Sequence, residues 1–299
     1  MISYRGSAER KSLKCHFVCG YRVIFGRNLH EKKNDFPFLR KTIVKKKTIR
    51  APLSKGKGVN MSSKITIIGA GSVGATIAYT LSNEDIASNI VLIDINKQKV
   101  EGEVMDIAQG TCFRDPISIV AGEYEDAKGS DIVIITSGIA RKPGQTRIEL
   151  TQTNVNIMKS IAPQIVKAAP DALYIIVSNP VDIMTYVFTK ISGLPENQII
   201  GSGTILDTAR LRCGLSEHFK VSQKNIHAYV FGEHGDTSFI PWTGAYISGV
   251  SINEYYELAK SLGKDVKELD KEAMLAYVQK SGGQIIAKKG ATFYAVSKA

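Results

Sequence analysis

At 299 residues the chain can hold one large or two medium domains, and a hydrophobic content of 43% is ample for a buried core. A net charge of +11 suggests an acidic partner, yet the charge sits at one end: residues 1–60 hold 16 Lys+Arg against 3 Asp+Glu, and residues 61–299 hold 23 against 25. Nucleic acid and membrane are therefore set aside as partners. The four cysteines (Cys15, Cys19, Cys112 and Cys213) form neither a disulfide framework nor a paired CxxC metal set, so reduced thiols in a cytoplasmic protein are expected, with no metal.

Residues 1–60 show no sustained period of 2 or 3.6 and read as a basic, disordered leader. Lys14, His16, Arg22 and Arg27 interrupt its one apolar stretch, which excludes a secretory signal, and no run anywhere approaches the roughly 20 apolar residues that span a bilayer. Two readings stay open. The leader is an arm for something acidic, or Met61 is the natural start and Gly56-Lys-Gly58 ahead of it reflects a translated ribosome-binding sequence.

From Lys64 strands and helices alternate. The pattern predicts strands at 64–68, 90–93, 117–120, 132–136 and 173–177, with helices at 72–82, 97–110 and 148–168 between them. Short, almost wholly apolar strands separated by helices indicate a parallel sheet covered on both faces, which is a doubly wound α/β domain over 61–204. Beyond Gly203 a helix, a strand at 226–231 and two helical stretches after Ile252 form a second, smaller α+β domain over 205–299.

The first strand runs into Gly69-Ala-Gly-Ser-Val-Gly74, a GxGxxG with a strand before it and a helix after it. In that context Gly69 permits the tight turn, Gly71 lets backbone approach a pyrophosphate and Gly74 lets helix pack on strand. Asp94, 20 residues beyond Gly74, can accept hydrogen bonds from ribose hydroxyls and would repel a 2′-phosphate, so NAD is the expected cofactor.

Four further segments follow in order: Thr136–Arg147 (TSGIARKPGQTR), Val177–Asp182 (VSNPVD), Gly201–Arg212 (GSGTILDTARLR) and Gly232–Asp236 (GEHGD). Together with the glycine loop they resemble the lactate/malate dehydrogenase family from Lys64 onward. The resemblance implies a Rossmann domain, a substrate domain and hydride exchange with a small 2-oxo acid. Such chemistry needs a proton donor, a cation for the carbonyl and a clamp for the carboxylate. His234 suits the first role because imidazole cycles as acid and base near neutrality. Asp207 would hold its other ring nitrogen, and Arg210, three residues on and on the same helix face, offers a fork for a carboxylate. Arg147 would stabilise charge on the carbonyl oxygen, and Asn179, at a strand's carboxyl end, would contact substrate and nicotinamide ribose. By resemblance Val73, Lys99, Tyr124, Gly138, Ile139 and Ser202 also fall at cofactor positions, whereas His218 reads as a helix-surface residue.

Substrate choice is divided. Arg141 stands where the family's malate enzymes place a cation for a second carboxylate; Glu233 before the histidine, and Thr292, match lactate-type positions. Pyruvate reduction to L-lactate is the expectation, with malate chemistry, or an inactive NAD-binding fragment, as alternatives. The resemblance further implies a homo-oligomer, a tetramer by family, and a fructose 1,6-bisphosphate effector held by Arg212 and His227. Because the family continues well past Thr292 while this chain stops at Ala299, the second domain is expected to be incomplete.

Overall fold

The computed structural model describes residues 63–84, 86–113, 116–139 and 147–299. Expectations for the leader 1–60, for Arg141 and for the side chain of Arg147 lie outside the described residues. Six strands, β1 (Lys64–Ile68), β2 (Asn89–Ile93), β3 (Ser118–Ala121), β4 (Ile132–Ile135), β5 (Leu173–Ile176) and β6 (Ile199–Gly201), form one sheet in the order β3-β2-β1-β4-β5-β6. Every pairing is parallel.

Side chains alternate between the two faces of this sheet. Ile65, Ile67 and Ile134 face one way, against Ile77 and Ala78 of α1 (Ser72–Asn83) and Val100, Val104 and Ile107 of α2 (Lys97–Gly110). Ile68, Val133, Ile135, Tyr174 and Ile176 face the other way, against Met158, Ile161 and Ile165 of α3 (Arg147–Ala168) and Met184 and Phe188 of α4 (Val181–Ser192). Burial on both sides is why the strands read as unbroken apolar runs. The buried hydroxyl of Thr66 on β1 is satisfied by Ser130 Oγ at 2.7 Å.

The second layer of structure gathers on α5 (Ile205–Phe219), whose Leu211, Leu215 and Phe219 pack with Ile226, Ala228, Val230, Ile247, Ile252 and Val278. A small antiparallel sheet of β7 (Ile226–His227), β8 (Tyr246–Ile247) and β9 (Val250–Ser251) precedes α6 (Ile252–Ser261) and α7 (Lys271–Lys289).

Three elements differ from the sequence pattern. Helix α4 and the three-residue strand β6 complete the sheet although neither is apparent from periodicity: α4 begins right behind Pro180, and β6 is too short to show a period. The predicted strand at 226–231 keeps its alternation, with Ile226, Ala228 and Val230 buried and His227, Tyr229 and Phe231 exposed. Only Ile226–His227 pair as a ladder, and Phe231 makes a single bridge to Phe239. A short α8 (Tyr294–Lys298) lies against α1, where Ser297 Oγ donates to Val73 O at 3.2 Å and Lys298 pairs with Glu84.

Candidate active site

The glycine loop is held by contacts that tolerate no side chain. Gly69 has φ +107°, and a Cβ there would sit 2.8 Å from Thr136 Oγ1 and 2.9 Å from Ser137 N. At Gly74 a Cβ would overlap the Gly69 carbonyl, so α1 presses directly on the end of β1. Gly71 has open space around it, and as the N-cap of α1 it supplies no side-chain acceptor to the first-turn N–H groups. Unpaired helix N–H groups beside an open backbone form an anion site, and these residues fit the pyrophosphate of a dinucleotide.

Asp94 closes β2 with both carboxylate oxygens fixed by backbone: Oδ2 accepts from Ala70 N at 2.6 Å and Oδ1 from Asn96 N at 2.9 Å. A cavity of about 560 Å³ lies beside it, bounded by Gly69, Gly71, Asp94, Lys99, Tyr124 and Gly138–Ile139. Lys97 and Glu123 pair across its rim. Burial, then the carboxylates of Glu123 and Asp94, push the Tyr124 phenol above its ordinary range.

A second cavity, of about 320 Å³, opens where β5 and β6 end and α5 begins; Val73, Asn179, Ser202, Asp207, Arg210, His234 and Thr292 all reach it. Within it Asp207, 4% exposed, accepts from His234 Nδ1 at 2.5 Å through Oδ2 and from Arg210 Nη1 at 2.9 Å through Oδ1. Nδ1 of His234 is thereby engaged, which leaves Nε2 as the ring position available for proton exchange. Arg210 Nε is buried with no hydrogen-bond partner, a donor that a bound carboxylate could satisfy.

Of the residues assigned to catalysis, substrate or cofactor whose side chains are described, the two cavities gather all except Gly74, which packs beneath the loop. Arg212 and His227 line neither cavity. Arg212 Nε donates to Ala228 O at 3.4 Å beside the exposed His227, and its guanidinium lies 5.2 Å from the Tyr229 ring centroid. His218, half-buried, is bonded through Nε2 to Lys267 O at 2.9 Å rather than standing open on the helix surface.

Four participants carry no signal that the motifs assign. Buried Asn154 on α3 donates to Asn179 O at 2.8 Å and Ile139 O at 3.3 Å and accepts from Ile139 N at 2.9 Å, tying the two cavities together. Asp182, in the first turn of α4, accepts from His234 N at 2.9 Å. Ser178 Oγ donates to Ser137 O at 2.6 Å, and Val296 of α8 lines the second cavity with Val73. Asp182 and Ser178 lie inside the Val177–Asp182 motif and could have been found there; Asn154 and Val296 could not.

A doubly wound sheet whose phosphate loop, acid-ended second strand and imidazole–carboxylate pair line adjoining cavities defines a dinucleotide-dependent dehydrogenase. Models of the lactate/malate dehydrogenase NAD-binding domain and of its alpha/beta C-terminal domain match residues 63–201 and 204–299. The L-lactate dehydrogenase 1 of Clostridium acetobutylicum is 48% identical over 241 residues, covering 80% of this chain and 75% of that protein. An L-lactate dehydrogenase of Thermoanaerobacter pseudethanolicus is 49% identical over 237 residues, covering 79% and 75%. Among solved structures, a lactate dehydrogenase from a Medee basin deep-sea metagenome library superposes with a TM-score of 0.74 at 38% identity, covering 79% of this chain and 74% of that one. The minor L-lactate dehydrogenase of Enterococcus mundtii gives 0.74 at 36%, with the same coverage. The chain belongs to the lactate/malate dehydrogenase family.

Proposed function

We propose that this chain is an NAD-dependent L-lactate dehydrogenase that interconverts pyruvate and L-lactate. The observation that carries the reading is the Asp207–His234 pair at 2.5 Å beside the Arg210 guanidinium, in a cavity bordering the glycine loop. NADH, when bound, supplies the hydride. His234 Nε2 delivers the proton to the carbonyl oxygen, and buried Asp207 offsets the positive charge of the imidazolium that carries it. Arg210 engages the substrate carboxylate, a planar fork meeting a planar acid. Asn179 borders the same cavity and orients substrate from the sheet side. Arg147 polarises the carbonyl.

The 44–49% identity to proteins named L-lactate dehydrogenase favours pyruvate over oxaloacetate. Arg141, the residue that argues for oxaloacetate, makes the comparison worth running: NADH oxidation followed with each acid should give the higher kcat/KM for pyruvate, and the reverse order would mean that Arg141 sets specificity. We extend the reading to a cytoplasmic homo-oligomer. Tyr229, Phe231 and Phe239 expose aromatic surface on one segment of the second domain, and no helix among the described residues is long and apolar enough to cross a membrane. Neighbouring Arg212 and His227 would hold fructose 1,6-bisphosphate. Activation that persists in an Arg212→Gln, His227→Gln double variant would place the effector elsewhere.

A further inference from the structure

The cofactor cavity carries more charge at its Asp94 end than the ribose of NAD requires. Ribose hydroxyls need hydrogen-bond acceptors, and the Asp94 carboxylate supplies them. Yet Lys97 and Lys99 line the same cavity, from the first turn of α2 directly behind Asp94, and that turn holds no acidic residue of its own. Lys99 makes no ion pair among the described residues. Two ammonium groups here suit a phosphate carried on that ribose, a group that NAD lacks.

Glu123 meets Lys97 from the β3 side, at the start of the short turn Tyr124–Ala127. A capping box aims it: its carboxylate accepts from Asp126 N, while Glu123 N donates to Asp126 Oδ2 at 2.8 Å. Its charge and that of Asp94 reach the same place, since after burial both push the Tyr124 phenol up. Asp94 and Glu123 thus cancel Lys97 and Lys99. The Lys97–Glu123 pair itself is loosely held, with side chains 48% and 59% exposed, and a pair so exposed adds little to the fold. What it controls is the charge that a ligand meets.

We propose that Lys97 and Lys99 form a subsite for a ribose 2′-phosphate that Asp94 and Glu123 together keep closed, so that Glu123, acting on Lys97, is a second determinant of cofactor choice. The inference rests on the dinucleotide reading of this cavity and deepens it. Removing Asp94 alone relieves one repulsion and leaves Lys97 committed to Glu123. Removing Glu123 as well releases Lys97 for the phosphate.

The test titrates NADH and NADPH by fluorescence into the full chain and into four variants: Glu123→Gln, Asp94→Ser, both together, and both with Lys97→Met. Gln keeps a side-chain oxygen for Asp126 N, so the turn stays capped, and thermal melting checks that it does. Glu123→Gln should raise the NADPH-to-NADH affinity ratio by about threefold to tenfold, the scale of a charge interaction close to water. The double variant should exceed Asp94→Ser by a similar factor, Lys97→Met should remove that gain, and added salt should shrink it. A ratio that Glu123→Gln leaves unchanged, or a gain in the double variant that survives Lys97→Met, overturns the proposal. Where NADPH binds the parent too weakly to measure, the double variant set against Asp94→Ser decides in the same way. Binding is read without turnover, so a parent that binds NADH yet does not reduce pyruvate defeats the dehydrogenase reading and leaves the role of Glu123 to the affinity ratios.

Discussion

Replacing Asp207 with Asn tests the centre of the mechanism, because this carboxylate is shared by two groups. Its Oδ2 lies 2.5 Å from His234 Nδ1 and its Oδ1 2.9 Å from Arg210 Nη1, and the residue is only 4% exposed. The amide keeps the shape and removes the charge. His234 then carries its proton without a counter-charge, and Arg210 faces a neutral oxygen or an NH₂ group. Breaking a buried pair by removing one partner costs about 3–5 kcal/mol, and each 1.36 kcal/mol of barrier is about a tenfold loss in rate. If most of that loss falls on the protonated histidine of the transition state, kcat drops by roughly 10²–10⁴. NADH affinity should change little, since the glycine loop and Asp94 border the other cavity. Steady-state pyruvate reduction gives the first quantity and NADH fluorescence titration the second. A variant within tenfold of the parent in kcat, or one that loses NADH affinity as steeply as turnover, would refute the assignment of Asp207 to the proton-transfer step.

Asp94→Ser should narrow the preference for NADH over NADPH, because the carboxylate that Ala70 N and Asn96 N hold in place would no longer oppose a 2′-phosphate; equal binding of the two cofactors by the parent would sink this. Tyr174→Phe should destabilise the fold by about 1 kcal/mol, because the fully buried hydroxyl donates to Ala169 O at 2.8 Å and Ile165 O at 3.2 Å at the end of α3. That corresponds to a melting temperature lower by roughly 2–4 °C. Burial also holds the Tyr174 proton far above the phenol range, so above about pH 10 the folded state keeps a proton that the unfolded chain releases, and stability falls as pH rises. The Phe variant should lose that part of the alkaline slope, and an unchanged slope would count against the burial argument.

The Rossmann half was legible because its physics is local. A parallel strand buried on both faces reads as a near-continuous apolar run, and a helix covering it must show a 3.6 period, so β1, β2, β4 and β5 and their helices emerge from the pattern within a residue or so. Helix α4 and strand β6 did not emerge. Pro180 caps α4, and the helix sits so close behind the Val177–Asp182 motif that a reading for chemistry passes over its secondary structure. Strand β6 has three residues and owes its existence to the Tyr174–Ile199 to Ile176–Gly201 register, a long-range fact. In the second domain a strand was expected across 226–231, and the segment does alternate between buried and exposed residues, but the length of a ladder depends on its partner. Strand β8 offers only Tyr246–Ile247.

The same division between local and long-range runs through the site. Residues proposed to exchange protons or bind charge, such as His234, Asp207 and Arg210, are legible because few residue types can do that chemistry and the motifs fix their order. Residues that hold those groups in place have no such signature. Asn154 is one polar residue on a 22-residue helix that also carries Asn156, Gln152 and Gln164, and composition cannot say that it alone turns inward to bind Ile139 and Asn179. Its burial, 3% exposed with three hydrogen bonds satisfied, separates it from the others, and burial follows only from the packed fold. His234 shows what such residues accomplish: Asp207 from α5 fixes its ring and Asp182 from α4 fixes its backbone. Two helices that begin at the carboxyl edge of one sheet therefore grip one histidine, and Asn179, three residues ahead of Asp182 and bonded to Asn154, is held by the same framework. The position of His234 is set by the helices that start where β5 and β6 end, so a parallel sheet with short loops can hold in place a histidine that sits on a glycine-flanked segment of its own.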